Sequence, residues 1–72
     1  MKTKTFKVGE YGYCEKYKVT CNGDKVIIDG ITSNLNVKQE TFNFKKLNEI
    51  DEYMCEETTP YYSSLVMEFL KC

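Results

Sequence analysis

Apolar and polar residues alternate over much of the first two thirds of the chain, a pattern that predicts β-strands rather than helices. In the first such segment the alternation places Phe6 and Val8 on the inner side. Gly9 and Gly12 then interrupt it, which indicates a loop or a bulge. The pattern predicts four extended segments, at about residues 3–8, 13–21, 24–29 and 38–44.

The second and third segments are separated by Asn22-Gly23, a strong local signal for a β-hairpin. Asn tolerates positive φ and Gly adopts it freely, so the pair fits the two central positions of a type I′ loop. In that loop Val19 lies opposite Val26. The expected inner face carries Tyr17, Val19, Cys21, Val26 and Ile28, and the expected outer face carries Lys16, Lys18, Thr20, Lys25 and Ile27.

The last third of the chain changes to helical periodicity. A first helix is expected at about 46–57, and Thr59-Pro60 separates it from a second at about 60–71, with Thr59 as N-cap and Pro60 at the first helical position. The second helix is expected to place Tyr61, Tyr62, Leu65, Val66, Phe69 and Leu70 on its inner side, and Ser63, Ser64, Met67, Glu68 and Lys71 on its outer side. Residues 38–44 remain open between a strand and the start of the first helix, since Phe44, Leu47 and Ile50 are three residues apart.

These elements indicate one α+β domain spanning residues 1–72. We expect an N-terminal antiparallel meander of three or four strands with two C-terminal helices packed on one face of the sheet. Seventy-two residues leave no room for a second core. A domain of this size is close to break-even between apolar burial and ordering entropy, so we expect modest stability, or support from a partner or a second copy as a homodimer.

The composition is that of an ordinary soluble globular domain, with 42% hydrophobic and 29% charged residues. The start of the chain is basic but has no apolar run typical of a signal peptide, and no segment is long and apolar enough for a membrane span. We therefore expect a cytoplasmic protein with no membrane partner. The absence of Arg, His, Trp and Ala, with abundant Lys, Asn, Ile, Tyr and Phe, indicates an AT-rich gene, from an AT-rich bacterium or its phage or mobile elements.

The four cysteines do not have the spacing of a structural zinc site, in which ligands usually stand two to four residues apart. They are Cys14, Cys21, Cys55 and Cys72. We expect no metal and no cofactor, and mainly reduced thiols in a reducing compartment, although the even count leaves disulfides as an alternative.

The sequence offers little for catalysis. It has no His, no glycine-rich phosphate loop, and no base beside Ser63 or Ser64. Cys14, next to Glu15 and Lys16, is a weak candidate for a nucleophile. We expect a non-enzymatic protein.

Charge is distributed unevenly along the chain. Residues 1–25 hold six lysines and three acids, whereas residues 26–72 hold four lysines and eight acids. Five of the nine residues in Glu49–Glu57 are acidic, although acids oppose the helix dipole at a C-terminal end. Six tyrosines are also more than so small a core can hide, and Tyr is common at interfaces.

Two binding functions follow. The first is a regulatory or adaptor module that binds another protein, with Tyr11, Tyr13, Glu49, Glu52 and Glu56 as the partner-binding residues. The alternative is binding of a nucleic-acid backbone through a Lys/Tyr face of the sheet, carried by Tyr13, Lys16, Lys18 and Lys25. The absence of Arg and the acidic pI of about 5.4 count against the alternative. Equally, these charges and tyrosines are compatible with solvated faces and packing at the rim of the sheet.

Overall fold

The structure, a computed structural model, describes residues 1–71 and has the expected α+β architecture. Four antiparallel strands form a sheet in the order β1-β2-β3-β4, followed by two helices. The strands are β1 (Lys2–Lys7), β2 (Lys16–Asn22), β3 (Lys25–Thr32) and β4 (Leu35–Asn43), and the helices are α1 (Leu47–Glu57) and α2 (Pro60–Lys71). A short 3₁₀ turn, Gly9–Tyr11, lies between β1 and β2. No helix within residues 1–71 is long and apolar enough to cross a membrane.

The core lies between one face of the sheet and the two helices. The inner face is the expected one, since Tyr17, Val19, Val26 and Ile28 are fully buried while Cys21 is partly buried. From the helices the core receives Ile50, Met54, Val66 and Leu70. Phe6 and Val8 also point inward as the alternation predicts, and Phe6 makes an edge-on ring contact with Phe69 at 6.0 Å.

The hairpin turn between β2 and β3 lies one residue later than predicted. Asn22 pairs with Lys25, so Gly23-Asp24 forms the loop and Val19 lies opposite Ile28 rather than Val26. Of these two loop residues Gly23 alone has positive φ, at +63°, which matches a type II′ turn with Gly first rather than type I′. The pairing register moves by two residues, and because side chains alternate with period two, every inner residue keeps its face.

A type I′ turn does occur, but in the next hairpin. Ser33 and Asn34, both with positive φ, connect β3 to β4 between the third and fourth predicted segments. β3 therefore continues through Asp29-Gly30, where the sequence predicts its end, and β4 begins at Leu35 rather than near residue 38. A register shift at Gly30/Ile31 leaves Val37 as the extra residue of a bulge in β4.

The second helix differs from its prediction at Ser63, Tyr61 and Met67; Met67, expected on the outer side, is partly buried against the core. Ser63, expected on the outer side, is 1% exposed, and Tyr61, expected on the inner side, is 65% exposed. The reason is that α2 packs against α1 as well as the sheet, so its buried sector is rotated toward α1. The Ser63 hydroxyl donates to the carbonyl and the carboxylate of Asp51 on α1, which allows a small polar residue between the helices.

Candidate functional site

Three predicted partner-binding acids share the solvent side of α1. Glu49, Glu52 and Glu56 are three and four residues apart and all are exposed, so they form one acidic stripe along the helix. Glu49 lies 3.9 Å from Lys46 in an ion pair between two exposed side chains, which contributes little. The stripe is therefore a solvated row of negative charge that a basic partner can reach.

The loop before β2 is held against the end of this helix. The backbone N–H of Tyr13 donates to the carbonyl of Glu57 at 3.0 Å, which satisfies one of the carbonyls that a helix leaves unpaired at its C-terminus. The N–H groups of Val8 and Gly9 both donate to the carbonyl of Glu15, which closes the loop at its base. These bonds fix the position of the loop backbone relative to the acidic stripe.

Two predicted tyrosine anchors project from this loop. Tyr13 is 79% exposed and Tyr11 is 58% exposed. Together with Glu56 they line one shallow depression of about 260 Å³ at the C-terminal end of α1. The fold thus brings together three of the five predicted partner-binding residues, and Glu49 and Glu52 continue the same surface along the helix.

The tyrosine cluster is larger than the sequence indicated. Tyr62 lies 6.3 Å from Tyr11 between ring centroids, and Tyr61 lies 5.1 Å from Tyr62 in an edge-on contact. Helical periodicity assigned both residues of α2 to the core, and their adjacency to Tyr11 depends on a long-range contact that periodicity does not report. We call the combined patch the tyrosine–acid surface; it consists of Tyr11, Tyr13, Tyr61, Tyr62, Glu49, Glu52 and Glu56.

Glu57, the last acid of α1, has a different environment from the stripe. Its carboxylate accepts from the hydroxyl of Tyr17 at 2.8 Å and from the ammonium of Lys38 at 2.8 Å. Its side chain is 10% exposed. Burial, with a further contribution from Glu57, raises the pKa of Tyr17 far above its usual range, and the hydrogen bond to Glu57 raises the pKa of Lys38. Glu57 is therefore a structural residue, and its two donors offset its unfavourable position at the helix C-terminus.

The lysines of the alternative nucleic-acid face lie where the sequence placed them. Lys16, Lys18 and Lys25 project from the outer face of the sheet, and the antiparallel register adds Lys7, which pairs with Lys16. The same face carries Asp29, whose carboxylate accepts from the side-chain amides of Asn36 (3.1 Å) and Gln39 (2.7 Å). Tyr13, however, lies in the depression beside Glu56 and Glu57 rather than on this face.

Three of the cysteines fall within the described residues and carry free thiols. Cys14 is buried, and Cys21 and Cys55 are partly buried. Cys72 lies outside the described residues. Within residues 1–71 no three side chains of Cys, Asp or Glu come together in a way that could hold a metal ion.

A scan against protein-family models and searches of curated proteins and of solved structures find no match to this chain.

Proposed function

We propose that the protein is a small non-enzymatic binding module that docks the tyrosine–acid surface onto a basic surface of another protein. The observation that carries the proposal is the continuity of this surface. The exposed stripe Glu49, Glu52 and Glu56 leads directly into the depression that holds Tyr11 and Tyr13. Tyrosines anchor interfaces because a large apolar ring carries one polar group, and a row of like charges accelerates encounter with an oppositely charged partner.

The fold fixes the position of the loop that carries Tyr13. The backbone N–H of Tyr13 is hydrogen-bonded to α1, whereas its side chain is 79% exposed. The loop therefore presents a large aromatic side chain to solvent from a fixed backbone position. Such preorganisation reduces the entropy lost when a side chain is immobilised at an interface. The free thiols of Cys14, Cys21 and Cys55 fit a reducing compartment, and we propose the cytoplasm as the setting.

The test is affinity capture from an extract of the source cells at low and moderate salt, with the wild type and two charge-matched double variants. Glu52→Lys with Glu56→Lys reverses two charges of the stripe. Asp24→Lys with Glu40→Lys makes the same change in net charge at exposed positions outside the tyrosine–acid surface. We expect a protein to be retained by the wild type and the Asp24/Glu40 variant after nuclease treatment, and lost with the Glu52/Glu56 variant. Equal capture by all three forms would reject the tyrosine–acid surface as the interface.

The second candidate is binding of a nucleic-acid backbone by the outer face of the sheet. It is favoured by the clustering of Lys7, Lys16, Lys18 and Lys25 on a face that carries no helix within residues 1–71. Two observations weigh against this second candidate. Tyr13 does not lie on the outer face and so offers no ring there for base stacking, and the chain has no Arg. Capture that disappears on nuclease treatment, falls steeply with salt, and is abolished by Lys16→Glu with Lys18→Glu would select this function instead.

A further inference from the structure

A second surface, separate from the acidic stripe, lies between β1 and α2. An open groove of about 720 Å³ runs along this junction. Its apolar floor consists of Phe6 on β1 and of Leu65 and Phe69 on α2, and Tyr62 lies at its border with the tyrosine–acid surface. Leu65 and Phe69 are only partly buried although they pack against the core, so the groove presents apolar surface to solvent.

The groove is bordered by a strand edge. β1 is the terminal strand of the sheet and pairs on one side with β2, so within the described part of the chain its other side is a sheet edge. The pairing of β1 with β2 is regular over all six residues. The opposite edge, β4, contains the bulge at Val37, and bulges discourage addition of another strand. β1 is therefore the edge better suited to accept an added strand.

Lysines border the groove on the β1 side. Lys4 lies over the Phe6 ring, 5.3 Å from its centroid, and Lys7 is exposed on the outer face beside Lys16. Lys2 covers one end of the groove, where its ammonium donates to the Phe69 carbonyl at 2.8 Å. Glu68 on α2 also lines the groove.

The charges select the chemistry of an occupant. Lysines on an edge strand discourage pairing with a basic or neutral strand, and the same charges attract an acidic one. An added strand places alternate side chains on opposite faces. One set would lie over the apolar groove, and the other would lie on the outer face beside Lys7, with Lys18 on the strand behind it.

We propose that β1 and this groove bind an extended acidic segment of a partner protein as a fifth strand, with its apolar side chains in the groove and its alternating carboxylates on the outer face, beside Lys7 and Lys18. Main-chain hydrogen bonds to the edge supply affinity, and the groove and lysines supply specificity. The proposal does not depend on the acidic stripe of α1. If both surfaces function, the protein connects a basic partner to an acidic one.

The test uses the purified full chain and a synthetic peptide of alternating valine and glutamate with blocked ends. Binding is measured by fluorescence anisotropy at low salt, and the site is located by changes in backbone amide NMR shifts. We expect the largest shifts in β1 and in Leu65 and Phe69 of α2. A peptide of alternating valine and lysine should bind at least about tenfold more weakly, and a peptide with a central proline should lose binding because proline cannot donate to the strand ladder.

Matched variants separate the groove from general charge attraction. Lys7→Glu with Lys18→Glu, both on the outer face, should weaken binding of the valine–glutamate peptide by about tenfold or more. Lys25→Glu with Lys45→Glu changes net charge equally at exposed positions outside the groove and should leave binding within about twofold. All four substitutions are at exposed positions and should not disturb folding. The amide spectrum verifies that each variant is folded.

Three results would overturn the proposal: no binding of the valine–glutamate peptide, equal weakening by both double variants, or shifts confined to β4 or the tyrosine–acid surface. A concentration-dependent dimer that perturbs the β1 amides without peptide would identify a second copy as the occupant and would also overturn it. Because the peptide assay contains no cellular partner, its failure leaves the proposed function untouched, and failure of the capture experiment leaves the peptide result intact.

Discussion

The hydroxyl of Tyr17 donates a 2.8 Å hydrogen bond to the carboxylate of Glu57, and this bond connects the centre of the sheet to the end of the first helix. The other carboxylate oxygen accepts from Lys38 on β4, and the Tyr17 oxygen accepts from the N–H of Cys14 at 3.2 Å. One carboxylate therefore joins α1, β2 and β4. The carbonyl of Glu57 also accepts from the N–H of Tyr13, so the same helix end fixes the loop that carries the tyrosines of the tyrosine–acid surface.

Glu57→Ala should destabilise the fold by about 1–3 kcal/mol, because it leaves the buried Tyr17 hydroxyl without its acceptor. Tyr17→Phe should cost a similar amount, and the double variant should cost less than the sum because both remove the same bond. Urea denaturation of the four proteins measures this coupling. Glu52→Ala, on the exposed side of the same helix, is the control and should change stability by less than about 0.5 kcal/mol. Additive losses from Glu57→Ala and Tyr17→Phe would mean that the bond contributes nothing measurable.

Stability should be constant in mildly alkaline solution and decline above about pH 10. Burial raises the pKa of Tyr53 to about 12, and burial raises that of Tyr17 further still, while the hydrogen bond to Glu57 raises the pKa of Lys38. A raised pKa in the folded state means that the unfolded chain loses its proton first. The stability linked to these groups is therefore complete below their unfolded pKa values and is lost as the pH rises through the folded ones.

A spectrophotometric titration of tyrosinate, followed alongside circular dichroism, checks this expectation. Tyr17 and Tyr53 should resist deprotonation until the fold opens, so the absorbance of their tyrosinates should rise together with the loss of the circular dichroism signal. Deprotonation of Tyr17 and Tyr53 near pH 10, with the circular dichroism unchanged, would contradict the prediction.

Tyr53→Phe should leave stability unchanged or raise it by up to about 1 kcal/mol. The Tyr53 hydroxyl is buried and makes no hydrogen bond in the described part of the chain, while its ring packs against Phe42 with centroids 5.2 Å apart. Phe keeps the ring contact and removes the unpaired polar group. Thermal denaturation near neutral pH provides the measurement, with Phe42→Ala as the contrasting variant that removes the ring contact and should lower the melting temperature. A clear loss of stability in Tyr53→Phe would indicate that the hydroxyl has a partner, such as a bound water.

The elements of the fold were predictable from the sequence because they depend on local periodicity. Alternation identified the inner residues of the hairpin, and Thr59-Pro60 identified the boundary between the helices, where the N–H of Tyr62 lies 3.5 Å from the Thr59 hydroxyl. The pairing of Val19 was wrong because Asn22-Gly23 and Gly23-Asp24 both suit a tight turn, and the choice between them leaves every residue on the same face. Hydrophobic periodicity therefore cannot distinguish the two pairing registers.

The candidate site was predictable only in part. Tyr11 and Tyr13 were candidates because they stand on either side of Gly12 in a break between strands, and the acidic stripe followed from spacing along one helix. The contact of Tyr62 with Tyr11 and the structural role of Glu57 depend on contacts between distant segments. Nothing in the sequence near Glu57 indicates Tyr17 or Lys38 as its partners.

Gly30→Ala tests how closely the sheet packs beneath Cys14. A Cβ at Gly30 would lie 2.6 Å from the Cys14 sulfur and 2.7 Å from Cγ of Lys38, so the substitution should cost about 1–3 kcal/mol through overpacking. The Lys38 side chain is flexible, whereas Cys14 is buried and fixed. Removing the sulfur with Cys14→Ala should therefore make Gly30→Ala markedly less costly.

Gly23→Ala is the contrasting variant. A Cβ at Gly23 meets no atom within 4 Å, but the φ of +63° is strained for Ala, so we expect a cost of about 1–2 kcal/mol. Cys14→Ala should not reduce this cost. Equal costs of Gly30→Ala with and without the sulfur would place the strain at Lys38 instead.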